Sequence, residues 1–211
     1  MILFVVLHGA PALARDNRAG VFDYFVLSLS WSPTYCGSDA GQRDNNQCAP
    51  GRQFAFVVHG LWPQFQNGWP QNCSTRENWV EQAQIDAMMD IMPSKKLIIH
   101  EWKKHGSCAG VSQADYFRAT RLLFEKVKIP ARYVSPTADV LTTPEQLITD
   151  FVKTNRDLTA DMLSVQCGNS RERARLSDLR VCLDKRGNFA ACGGNERSAC
   201  QAKQLVMPRV R

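Results

Sequence analysis

HEWKKHGSC, residues His100 to Cys108, gathers two histidines, a glutamate, two lysines and a cysteine in one short stretch. A second chemically loaded stretch, HGLWPQ, runs from His59 to Gln64. The chain has four histidines. His8 sits in an apolar N-terminal run, and the other three, His59, His100 and His105, all fall in these two stretches. Histidines recruited for packing would be scattered, so this placement points to metal binding or proton transfer.

The metal reading rests on His100-Glu-x-x-x-His105, which is one residue longer than the zinc-binding His-Glu-x-x-His. Helical residues four apart differ by roughly 40° around the axis, and residues five apart by roughly 140°. On a regular helix the two imidazoles would diverge, and Lys103 and Lys104 between them disfavour a cation. The acid–base reading fits the same geometry. With His100 at 0°, Lys104 lies near ~40°, Glu101 near ~100° and His105 near ~140°, while Trp102 and Lys103 point away. One broad face then carries two proton-transfer groups, a fixed cation and a carboxylate. That set suits phosphoryl chemistry: a base, an acid and positive charge for the phosphate oxygens. The carboxylate would also keep a nearby histidine protonated. RNA needs no metal in such a site, because its 2′-hydroxyl is the nucleophile. A base removes that proton, the oxygen attacks phosphorus, and an acid protonates the departing 5′-oxygen, giving a 2′,3′-cyclic phosphate. Trp62 and Trp69 are placed to stack on unpaired bases, although core packing is the commoner use of a tryptophan.

These groups need elements to hold them. Tyr24–Ser30 alternates as a strand, stopped by Pro33. The stretch 36–51, rich in Gly, Asn, Asp and Gln, reads as a loop. Phe54–Val58 is a compact apolar strand that delivers His59. Ser74–Met92 has helical character, with Ser74 and Glu77 as a capping box and Pro93 as the stop. Leu97–Lys104 and Ala114–Val127 read as helices, the second with Phe117, Thr120, Leu123 and Phe124 on one face. Thr143-Pro-Glu-Gln opens another, with Pro144 in its first turn and Gln146 closing a box. Met162–Gln166 and Leu179–Leu183 read as strands, followed by a hairpin turn at Gly187-Asn188. The expected fold is α+β: a central, largely antiparallel sheet with helices packed to one side.

At 211 residues, with 44% hydrophobic and 22% charged side chains, the chain suits one globular domain rather than a disordered tail. A net charge of +6 favours anionic partners, though only mildly. Ile2–Leu7 followed by Ala12-Leu13-Ala14 reads as a signal peptide (1–14) ahead of a single domain (15–211). Eight cysteines with an export signal imply up to four disulfides, and none has the spacing of a zinc knuckle. Spacing alone leaves the pairing open.

HGLWPQ and HEWKKHGSC together resemble the two signatures of the ribonuclease T2 family, the second read as His-Glu-Trp-x-Lys-His-Gly-Thr/Ser-Cys. The resemblance spans Tyr24 to about Leu205, with the early strand ending in SWSP and the late cysteines also fitting. It implies His59 as general acid, His105 as general base, His100 on the phosphate, and Glu101 and Lys104 stabilising the transition state. It implies Trp62 as a base-stacking residue and the disulfides Cys36–Cys48, Cys73–Cys108, Cys167–Cys200 and Cys182–Cys192. Two positions depart from the common pattern. Leu97 stands near where many members place an aromatic base contact, and Gln64 stands where many carry an acid. The expected protein is a secreted or periplasmic endoribonuclease of low base specificity, acting on single-stranded RNA with no metal or other cofactor. No membrane and no obligate protein partner are implied. A disulfide-rich binding protein for RNA or another polyanion, with catalysis lost, is the alternative.

Overall fold

The computed structural model describes residues 17–197 and 199–210. The expected signal peptide lies outside them. In chain order the elements are β1 (Tyr24–Trp31), α1 (Ser32–Cys36), α2 (Asn45–Cys48), β2 (Phe56–Gln64), α3 (Gln82–Asp86), α4 (Lys95–Lys104), α5 (Gln113–Lys126), β3 (Val140–Thr142), α6 (Pro144–Thr154), β4 (Leu163–Cys167), β5 (Arg173–Leu183) and β6 (Gln204–Met207). The six strands form one sheet in the order β2-β1-β5-β6-β3, with β4 also paired to β5. Every pairing is antiparallel except β5–β6.

Alternation gives the sheet two unlike faces. In register, Leu29 opposes Leu179 and Leu27 opposes Val181. These side chains join the main core with Ile98 and Trp102 of α4, Tyr116 and Phe117 of α5, and Leu147 and Phe151 of α6. The other face carries Ser30 opposite Asp178, Ser28 opposite Arg180, and Val26 opposite Cys182. Its apolar content is a small cluster of Tyr24, Val26 and Cys182 with Trp62 and Cys192 packed on it.

The edge strand β2 carries a bulge. Ser28 pairs with Gly60 and the next residue, Leu29, with Val58, so His59 is the extra residue. Strict alternation would put Val58 and Leu61 on opposite faces. With His59 inserted, both are buried in the core, at 0% and 1% exposure, and His59 projects from the sheet.

Several sequence expectations are corrected. Strand β2 does not stop at His59 but runs to Gln64, tolerating Pro63 because it lies at the sheet edge. The helix expected over Ser74–Met92 shrinks to α3, Gln82–Asp86. Its polar groups are used in tertiary contacts instead. The Glu77 carbonyl accepts from Trp102 Nε1 at 2.7 Å, and the Glu77 carboxylate accepts from the Gln113 N–H at 2.7 Å, at the start of α5. Glu77 therefore serves another helix rather than a box with Ser74. At α6 the Thr143 hydroxyl does accept from the Gln146 N–H, but the Gln146 side chain turns to Asp150.

Candidate active site

The loaded residues meet where β2 and the end of α4 converge beside the sheet face that carries Arg180. Strand β2 supplies His59, Trp62 and Gln64. Helix α4 supplies His100, Glu101 and Lys104, and His105 is its C-cap. These seven, with Trp69 at 49% exposure on the rim, line one cavity of about 590 Å³. The expected division of α4 holds: Trp102 is buried at 1% exposure, away from the cavity face. Leu97 is not brought into this cavity. It lines neighbouring grooves with Tyr35 and Ser94 that reach His59 on one side and His100 on the other.

Glu101 sits at the centre, 1% exposed. It lies over Gly60 so closely that a Cβ at residue 60 would stand 2.0 Å from Glu101 Oε2. Trp62 Nε1 donates to that oxygen at 2.6 Å, and His59 Nε2 lies 3.8 Å from Oε1. Burial pushes the Glu101 carboxyl up to about 7, against the pull of His59, the Trp62 N–H and Lys104.

The two histidines of the expected acid–base pair are driven apart. Burial acts to lower the His59 pKa, but a hydrogen bond to Asp178 and the charges of Glu101 and Asp178 outweigh it, so it ends above its usual value. Burial, then the charges of Lys104, His100 and His59, push His105 down to about 3. Its Nδ1 is buried and has no hydrogen-bond partner among the described residues. His100 is also lowered, by burial and by Lys104 and His59. One imidazole is thus biased towards its cation and the other held neutral, the protonation states from which an acid and a base start.

Trp62 is more enclosed than a free stacking platform. His59 meets its ring edge-on at 5.1 Å between centroids, His105 lies 5.4 Å away, and the Arg180 guanidinium stands 5.2 Å over the ring. Gln64 is buried, and its Oε1 accepts from Asn195 Nδ2 at 2.9 Å.

Sequence reasoning missed the opposite wall. Arg180, Asn195 and Glu196 line the cavity. Arg180 lies 3.6 Å from the buried Glu196, which also accepts a hydrogen bond from Tyr24. Behind His59, Asp178 and Ser30 were missed as well. The available signal was the run Asp178-Leu-Arg-Val-Cys-Leu183, whose alternation sets Asp178 and Arg180 opposite the core-facing leucines and valine.

All four expected disulfides are present: Cys36–Cys48, Cys73–Cys108, Cys167–Cys200 and Cys182–Cys192. Cys73–Cys108 ties the segment after β2 to the turn after α4, and the Asn72 N–H donates to the Lys104 carbonyl beside it at 2.9 Å. Among the described residues, no three His, Cys, Asp or Glu side chains gather as metal ligands. No described helix is long and apolar enough to cross a membrane.

The chain is similar to known ribonucleases. The profile of the Ribonuclease T2 family matches residues 22–192. A ribonuclease of Aeromonas hydrophila is 35% identical over 198 residues, covering 89% of this chain and 83% of that one. A probable ribonuclease of Haemophilus influenzae is 30% identical over 189 residues, covering 84% of this chain and 63% of that one. Among solved structures, RNase NT in complex with 5′-AMP superposes with a TM-score of 0.60 at 25% identity, over 82% of this chain and 91% of that one. An RNase-related protein from Calystegia sepium shares the fold, with a TM-score of 0.68 at 22% identity over 90% and 98% of the two chains. With both motifs on one cavity and the family profile spanning most of the sequence, the chain belongs to the Ribonuclease T2 family and is a ribonuclease.

Proposed function

We propose that the chain cleaves single-stranded RNA internally, with low base specificity, by transesterification through a 2′,3′-cyclic phosphate and without a metal ion. The observation that carries this reading is the convergence of His59, His100, Glu101, Lys104 and His105 on one cavity, with burial and charge shifting His59 and His105 in opposite directions. His105, neutral, takes the 2′-hydroxyl proton. The 2′-oxygen then bonds to phosphorus as the bond to the 5′-oxygen breaks. His59, protonated, gives its proton to that leaving oxygen. Lys104 and His100 face the phosphate oxygens, and Glu101 accepts the Trp62 N–H and lies beside His59 Nε2. In a slower second step the roles reverse: water attacks phosphorus, the 2′-oxygen leaves, and a 3′-phosphate remains. Arg180 and the enclosed Trp62 form a wall against which a base can lie, while Gln64 and Trp69 border it. Four disulfides support a secreted or periplasmic site of action.

The deciding experiment uses a defined oligoribonucleotide carrying a single deoxyribose. Cleavage should fail 3′ to that sugar while binding persists, because the phosphate contacts are unchanged. Ordinary RNA should give cyclic phosphate ends early in the reaction. Efficient cutting beside the deoxyribose would exclude the cyclising mechanism.

A further inference from the structure

We propose that Asp178 is the positioning residue of His59, fixing which ring nitrogen of this histidine faces the substrate; this deepens the function proposed above and rests on it. The geometry is a three-strand relay. Asp178 Oδ1 lies 3.3 Å from His59 Nδ1, and Ser30 Oγ donates to the same oxygen at 2.5 Å. Ser30 Oγ is also 3.3 Å from His59 Nδ1. An ionised carboxylate only accepts, and the single hydroxyl proton of Ser30 is directed at Asp178. The proton between His59 and Asp178 must therefore sit on Nδ1. That leaves Nε2, on the side of Glu101 Oε1, as the nitrogen that exchanges a proton with substrate.

The placement follows from the sheet. Ser30 and Asp178 are register partners on β1 and β5, and the bulge in β2 brings His59 over them. Asp178 is itself suited to stay ionised. Burial acts to raise its pKa, but bonds and charge from His59, Ser30 and Arg180 hold it below the ordinary carboxylate value.

Other charged and titratable groups surround His59. Arg180 on β5 opposes its protonation, Glu101 on α4 favours it, and His100 and His105 sense it from the same helix and its cap. Lys104 lines the same cavity, and Tyr35 and Asp44 line the small cleft on the other side. The hydrogen bonds of the ring are made instead with Asp178 and Ser30, both at Nδ1, so Asp178 sets the orientation as well as contributing charge.

The test compares Asp178→Asn and Asp178→Glu with the parent protein. The asparagine keeps the size and an accepting oxygen but removes the charge. The His59 ring proton is followed by NMR titration, and kcat/KM on a dinucleotide is measured against pH. In Asp178→Asn the His59 pKa should fall by about one unit, the low end for loss of an adjacent opposite charge. The alkaline limb of the rate profile should move down by the same amount, giving about tenfold less activity above it. Asp178→Glu should recover part of both shifts. An unmoved His59 titration in both variants would overturn the proposal. The titration needs no RNA, so a protein that never cleaves RNA would refute the proposed function while the relay is still judged. A shifted titration with an unmoved limb would remove His59 as the acid, and with it the role of Asp178 in turnover.

Discussion

In the proposed mechanism, two imidazoles on one cavity set the pH window of turnover. His105 must be neutral to accept a proton, and its pKa of about 3 supplies that form at any pH above the low acid range. His59 must be protonated to donate, and its raised pKa keeps that form present past the ordinary histidine value. Activity should therefore rise with pH through about 3 and fall as pH climbs through the His59 value, with the Glu101 carboxyl itself passing from protonated to ionised at about 7. A profile whose alkaline limb lies below the ordinary histidine pKa would contradict these assignments. Replacing His59 or His105 by alanine should each cost at least ~100-fold in turnover, the usual scale for a lost general acid or base. Lys104→Ala should lose a comparable ~100-fold or more by leaving transition-state charge uncompensated. Gly60→Ala gives a sharper test. Its Cβ would collide with Glu101 Oε2 and lie 2.5 Å from Trp62 Nε1, so Glu101 must move. A shift near 1 Å at such a site can cost about a hundredfold; full activity in Gly60→Ala would show that Glu101 has no fixed task. The grouping of the histidines, Glu101 and Lys104 on one cavity was legible in the sequence because they fall in two short stretches whose residue types announce proton transfer. Asp178, Arg180 and Glu196 were not, because each becomes chemical only through partners far along the chain, such as Tyr24 and Ser30.

At the scale of elements, the site depends on how β2 and the end of α4 are held together. The helix ends at His105, whose N–H bonds back to the Glu101 carbonyl at 3.0 Å, and Gly106 follows in a tight turn. A Cβ at residue 106 would stand 2.6 Å from the Trp102 ring and 2.9 Å from Tyr116. Gly106→Ala should destabilise the protein by about 1–3 kcal/mol, the usual cost of overpacking. Replacing Cys73 and Cys108 together should cost about 2–5 kcal/mol in denaturant unfolding. An unchanged midpoint would mean that packing alone holds the two segments. The helices α5 and α6 were legible, α5 from its periodicity and α6 from its cap, whereas the Ser112 hydroxyl that accepts from the Asp115 N–H at the start of α5 was not read from the sequence. The failed helix after Cys73 shows the limit. Glu77 looked like a local cap, but it bonds across the fold to the start of α5, a contact that no window of neighbouring residues contains. The β2 bulge was equally hidden, since HGLWPQ gives no sign that His59 falls outside the strand register.

For the whole molecule, a net charge of +6 should make RNA binding weaken steeply with salt, by roughly 0.7 in log–log slope per phosphate contact on a single strand. A salt-insensitive KM would argue against a polyanionic substrate. A strong chelator should leave turnover intact; loss of activity restored by zinc would return the His100–His105 stretch to the metal reading. The fold class and the sidedness of the sheet were legible from alternating strands at both ends and amphipathic helices between them, whereas the parallel β5–β6 pair and short β3 were too brief to declare themselves. The Cys73–Cys108 bond carries a last consequence. His59 lies before Cys73, and His100 to His105 lie between Cys73 and Cys108. The intervening segment around Arg76 to Trp79 is exposed, with Trp79 80% accessible. A single peptide cut after Arg76 would divide the three cavity histidines between two polypeptides that share this one covalent link, because Cys36–Cys48 lies wholly on the first and the other two disulfides wholly on the second. The ribonuclease would then persist as a nicked two-chain enzyme whose halves part only under a reductant.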